Sequence, residues 1–183
     1  ANRKVGLGHA RHSIIDLTTG DQPIANETNS LHIVVNGEFY DYERIQRELQ
    51  QRGHQLRTKT DSEIALHLYE ELGTHCLEHL RGEFAFVLWD EHNQMLFAAR
   101  DRFGIKPLFY SIHNDTLYFA SEVKALFAAG VPAAWNPEAF FHAADFGNHP
   151  DQTLYKDVFQ VPPAHFLIAT KSNLIIQSYW DFN

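Results

Sequence analysis

An α+β fold dominated by antiparallel sheet is predicted by three features of this 183-residue sequence. Apolar stretches come in pairs joined by short turn-like segments, as in "EFAFVLWDEHNQMLFAARD" and "LFYSIHNDTLYFASE". Segments of helical period stand between the pairs instead of alternating singly with strands. Hydrophobic residues make up 44% of the chain, enough for the full core of one globular domain over residues 1–183.

The elements follow in order. "VGLGHARHSIIDLTTGDQP" reads as a short apolar strand followed by a loop, with Gly20, Asp21 and Pro23 as turn residues. "LHIVVNGEFYDYERIQRELQQRG" begins as a strand, and its Asn36-Gly37 is the pair that usually closes a two-residue hairpin. No second strand follows. Tyr42, Ile45 and Leu49 recur at helical spacing, with Asp41 placed to cap that helix and Gly53 to end it. Asn36-Gly37 therefore stands at a strand-to-helix junction, with Glu38 directly after it.

"HQLRTKT" alternates as a strand should, and Thr60-Asp61-Ser62-Glu63 has capping-box spacing for a helix reaching Gly73. Thr74 to Leu80 adds a short helical turn or two. The strand from Glu83 is apolar almost throughout, which predicts burial on both faces, and it pairs with the next strand across Glu91 to Asn93. A second hairpin turns at Asn114-Asp115, and "VKALFAAG" forms a short helix after it. Asn136-Pro137 supplies an N-cap and a first-turn proline for a helix through Phe140. "AHFLIATKSNLIIQSYWDF" closes the chain as a further hairpin.

A formal charge of −8 disfavours nucleic acid as a partner, since phosphate contacts need clustered Lys and Arg. No apolar run approaches the length that spans a bilayer, and the first ten residues have no secretory core, so a cytoplasmic location is expected. One cysteine, Cys76, excludes an internal disulfide, and its helical setting reads as packing, not nucleophilic chemistry. Twelve histidines raise the question of a metal. The close pairs His75/His79, with Cys76 between them, and His9/His12 lack the further ligands of a recognisable zinc motif, so no metal is expected.

Three positions carry candidate chemistry. An Asn36 side-chain amide and a neighbouring Gly37 N–H can converge on a developing oxyanion, although Asn-Gly is also a common turn. Arg11 can grip a carboxylate in bidentate fashion, or sit in a surface ion pair. Asp61 can hold an ammonium, or cap a helix. "ARDRFGIKPLFY" is either a charged connection or a rigid support, and its spacing does not choose.

Taken in order, "GHARHSIIDL", "VVNGEFYDY", "TDSE", "LRGEFAFVLWD", "RDRFGIKPLFY", "FASEVKAL" and "VPPAHFLIATKSNLIIQSYWDF" resemble the glutamine-hydrolysing domain of the asparagine synthetase family. That domain is a class II glutamine amidotransferase with the N-terminal-nucleophile hydrolase fold. The resemblance implies a four-layer αββα sandwich. It makes Asn36 and Gly37 an oxyanion hole, and Arg11 and Asp61 the partners of the substrate α-carboxylate and α-ammonium. Ile14, Ile15 and Glu38 would complete the glutamine pocket.

The family's nucleophile is a cysteine at the mature amino terminus, whereas this sequence opens on Ala1 and has Met95 as its one methionine. The expectation is that a few dozen residues with the first core strand and that cysteine precede Ala1, and that a synthetase domain using ATP and magnesium follows "SYWDF". This domain would need no cofactor itself. Its partners would be glutamine and that synthetase domain, with a homodimer allowed. The competing expectation is an inactive scaffold of the kind found in β-lactam-type synthetases.

Overall fold

The computed structural model describes residues 5–10, 20–144 and 150–182. Its strands fall into two antiparallel sheets. The larger has six strands in the order β1-β2-β3-β4-β8-β9: Ile24–Ala25, Leu31–Phe39, Gly82–Asp90, Met95–Arg100, His165–Ala169 and Leu174–Ser178. The smaller has β6 (Thr116–Ala120), β5 (Phe109–His113) and β7 (Phe159–Gln160) in that order. Helices α1 (Tyr42–Gln51), α2 (Glu63–Leu72) and α3 (Cys76–His79) come before β3, while α4 (Val123–Ala128) and α5 (Pro137–Ala144) lie between β6 and β7.

Strand periodicity sorts these elements into four layers. On β3, Phe84, Phe86 and Leu88 face Ile45, Leu49, Ile64, Leu68 and Leu77 of the first three helices. Ala85 and Val87 face the other way, into a core shared with Tyr110, Leu117 and Phe119 of the smaller sheet. The smaller sheet then turns Phe109, Tyr118 and Ala120 outwards against Leu126 and Phe127 of α4. The order is helices, sheet, sheet, helix, as the resemblance implies. The apolar run of β3 is apolar because it serves two cores.

Hairpin turns fall where the sequence places them. Asn114 and Asp115 both take positive φ, 49° and 56°, between β5 and β6. Asn136 Oδ1 accepts the Glu138 and Ala139 amides as the N-cap of α5, which extends beyond Phe140 to Ala144. Gly53 follows α1 with φ 101° and returns its N–H to Gln50.

Four local expectations are corrected. Residues 5–10 carry no strand. "HQLRTKT" is not a strand either: its backbone donors are taken by side chains, Gln55 by Glu27 and both Arg57 and Thr58 by Glu63. Asp41 does stand before α1, but at φ 57° with no side-chain cap bond, and its carboxylate pairs with Arg44. The Thr60–Glu63 stretch starts α2 without a capping box, because Glu63 turns back to the 57–58 backbone and Asp61 turns to β2. The short strands β1 and β7 have no sequence signal of their own.

The "RDRFGIKPLFY" segment is a rigid support. Fully buried Asp101 accepts the Phe103, Ile105 and Lys106 amides. Arg100 donates to the carbonyls of Gly104, Lys106 and Val161 and to the Gln160 side chain. Neither charge neutralises the other by a direct bridge. Each instead saturates loop backbone, and Gly104 is required because a Cβ there would lie 2.7 Å from Pro163. Among the described residues no helix is long and apolar enough to cross a membrane.

Candidate active site

Asn36, Gly37 and Glu38 are not at a strand-to-helix junction; they lie within β2, which continues to Phe39. Close approach of two glycines permits this. Gly37 opposes Phe84 and Gly82 opposes Phe39 in the β2-β3 ladder. A Cβ on Gly37, at φ 131°, would sit 1.9 Å from the Glu83 carbonyl oxygen, and one on Gly82 would sit 2.1 Å from that of Glu38. The pairing survives past Asn36 because both side chains are hydrogen.

The outer edge of β2 shows where free donors lie. Even-numbered residues bond towards β3, as Tyr40 N–H does to Arg81 and Ser30 C=O does with Glu91. Odd-numbered residues point away from it. Ile33 meets β1 there, the Gln22 side-chain amide bonds both the N–H and C=O of Val35, and Asp61 Oδ2 accepts the Phe39 N–H at 2.6 Å. Alternation directs the Gly37 N–H to this edge, between the positions served by Gln22 and Asp61. No side chain among the described residues bonds it.

Asn36 is half-buried, and its side-chain amide has no hydrogen-bond partner among the described residues. Glu38 is exposed. Asp61 is buried just before α2. Burial pushes its carboxyl above the usual carboxylate range, the Phe39 N–H opposes that rise, and the nearby Glu38 charge adds to it. A side-chain amide, a backbone N–H and a buried carboxylate thus gather along residues 36–39 of β2. Such a set can stabilise an oxyanion and hold a cation nearby.

Of the predicted site residues, Asn36, Gly37, Glu38 and Asp61 are brought together. Arg11, Ile14 and Ile15 lie outside the described residues. Gln22 and Gly82, which shape the edge, escape a search for reactive residues. Gly82 has a signal, an isolated glycine at the start of an apolar strand. Gln22 has none. Cys76 is fully buried, and burial raises its thiol well above the ordinary range, so it behaves as a packing residue. His75 pairs with Glu78 on the exposed surface, and His12 lies outside the described residues.

Known proteins match almost the whole chain in sequence. A family model described as a glutamine amidotransferase domain matches residues 1–180. Amidase chry2 of Gibberella zeae is 44% identical over 98% of this chain and 27% of its own length. Glutamine-hydrolysing asparagine synthetase 3 of Bacillus subtilis is 38% identical over 96% of this chain and 29% of its own. The chain therefore spans less than a third of each of these relatives.

Among solved structures, the glutamine phosphoribosylpyrophosphate amidotransferase of B. subtilis superposes with a TM-score of 0.64. It covers 87% of this chain and 32% of that one at 20% identity, a likeness of fold. With the family model matched over residues 1–180 and relatives above 30% identity along nearly all of its length, this chain belongs to the family of glutamine amidotransferase domains, a family of enzymes.

Proposed function

We propose that this domain hydrolyses the side-chain amide of glutamine to glutamate and ammonia. The observation that carries the reading is the outer edge of β2, where the Gly37 N–H, next to Asn36, points out between the Val35 and Phe39 positions held by Gln22 and Asp61 and is bonded by no side chain among the described residues. A cysteine thiolate adds to the amide carbon, and the carbonyl oxygen gains charge that Asn36 and Gly37 stabilise by hydrogen bonds. Collapse of this intermediate, with a proton passed to the leaving nitrogen, releases ammonia and leaves a thioester. Water then hydrolyses the thioester through a second oxyanion in the same place.

Cys76 does not supply the thiolate, because it is buried, its charged form is penalised, and it sits on α3. It is the one cysteine of the sequence, so this reading requires a thiolate that is not among these 183 residues. In this reading Asp61 takes the substrate α-ammonium and Arg11 its α-carboxylate, with Glu38 and the segment around Ile14 and Ile15 closing the pocket. Ammonia passes to an ATP-dependent synthetase domain that amidates a carboxylate.

The test is direct. Full-length protein incubated with glutamine, without ATP, should release glutamate and ammonia in equal amounts. A covalent glutamyl-protein adduct should be trapped on rapid acid quench. Absence of both products and adduct from protein that binds glutamine would make the domain a scaffold.

A further inference from the structure

In the layer of α1 and α2, two histidines face each other. His67 is fully buried on α2, His54 lies in the loop after α1, and their Nδ1 atoms are 3.1 Å apart. The far nitrogen of each meets a carboxylate. His67 Nε2 is 3.3 Å from Glu63 Oε1, and His54 Nε2 is 3.0 Å from Glu71 Oε1. An ionised carboxylate only accepts, so each neutral ring places its single N–H at Nε2. Both Nδ1 lone pairs then converge on one point, which calls for a positive charge between them.

Two further oxygens surround that point. Glu70 Oε2 lies 3.4 Å from His67 Nδ1 and 3.6 Å from His54 Nδ1, and Glu27 Oε2 lies 4.0 Å from His67 Nδ1. The donor atoms of Glu27, His54 and His67 all lie within 4.8 Å of one another, so modest side-chain adjustment brings them to the roughly 3.3–3.4 Å separations of ligands around a tetrahedral zinc. Each carboxylate is also steadied through its other oxygen, Glu27 by the Gln55 N–H and Glu70 by the Asn26 side chain.

We propose that His54, His67 and Glu27, with Glu70 as a fourth ligand, form a binding site for a divalent transition metal of the zinc class. The Glu63 and Glu71 contacts are the outer carboxylates that histidine ligands ordinarily carry, fixing the ring tautomer and orientation. Glu27 and Glu70, with side chains 32% and 34% exposed, give the ion a way in from solvent. The metal ties together the turn after β1, the loop after α1 and helix α2, adding to the Gln55–Glu27, Asn26–Glu70 and His54–Glu71 contacts that already join them. Because Glu63 begins α2 and Asp61 stands just before it, the site, on the proposed glutaminase reading, braces the wall of the glutamine pocket without touching substrate. The His75/His79 pair takes no part; the relevant signal is Glu63, His67 and Glu70 on one helix, completed by residues far off in the chain.

The experiment uses full-length protein stripped with chelator and titrated with zinc chloride, read by competition with a chromophoric zinc indicator and by thermal unfolding. The expected result is a high-affinity zinc equivalent per chain that raises Tm by roughly 5 °C or more at a hundredfold excess over Kd. His54→Ala and the isosteric Glu27→Gln should each lose that equivalent by at least tenfold in affinity and lose the Tm rise, while circular dichroism shows both folded. No zinc uptake by the wild type, no Tm response, or uptake unchanged in both folded variants would overturn the proposal; the first two leave a shared proton between the rings instead.

Discussion

The Asp61 carboxylate accepts the Phe39 backbone N–H at 2.6 Å, joining the start of α2 to the end of β2 two residues beyond Gly37. This bond places a buried carboxyl group beside the outward-pointing Gly37 N–H and explains why Asp61 does not cap its own helix.

Its titration follows. Burial holds the Asp61 carboxyl above the ordinary aspartate value of about 4, so the folded protein binds its proton more tightly than the unfolded chain does. Ionisation therefore costs stability as pH rises through that raised value, whereas binding of an ammonium requires the ionised form. The kcat/KM for glutamine should fall on the acid side at a pH above the usual carboxylate range. Asp61→Asn should remove this limb and raise KM roughly tenfold to hundredfold, while thermal unfolding at pH 7 shows little loss of stability, because the Asn oxygen still accepts the Phe39 N–H.

Gly37 tests the strand geometry. A Cβ there meets the Glu83 carbonyl at 1.9 Å, in a backbone conformation at φ 131° that side chains rarely adopt. Gly37→Ala should destabilise the domain by about 3 kcal/mol or more, measured by urea unfolding. Gly82→Ala should behave alike, since its Cβ meets the Glu38 carbonyl from the opposite strand.

Arg100 tests the loop support. Its guanidinium reaches three carbonyls and the Gln160 side chain, a pattern that an ammonium cannot reproduce. Arg100→Lys should keep the charge yet cost about 2–4 kcal/mol, read by chemical denaturation. A neutral result would mean that Asp101 and Gly104 hold residues 101–106 unaided.

Much of the fold is legible in the sequence because period-two patterning and turn pairs act locally. The apolar run of β3, the Asn114-Asp115 turn and the Asn136 cap are each decided within a few residues. Asn36-Gly37 misleads for a reason of equal clarity: the pair looks like the end of a strand until Gly82, 45 positions on, allows the ladder to continue past it. "HQLRTKT" fails as a strand because Glu63 and Glu27 take its amides, and a side chain's choice of distant backbone leaves no local pattern. The candidate site was readable as residue types, Asn36, Gly37 and Asp61. Its edge, made by Gln22 on Val35 and Asp61 on Phe39, was not.

The most direct test of the account is the steady-state kinetics of Asn36→Ala in the full-length protein. Loss of an oxyanion donor predicts a fall in kcat of about a hundredfold to a thousandfold, with KM for glutamine close to that of the wild type. An unchanged kcat, or a loss confined to KM, would contradict the assignment of Asn36 to the oxyanion and with it the central reading of this strand edge.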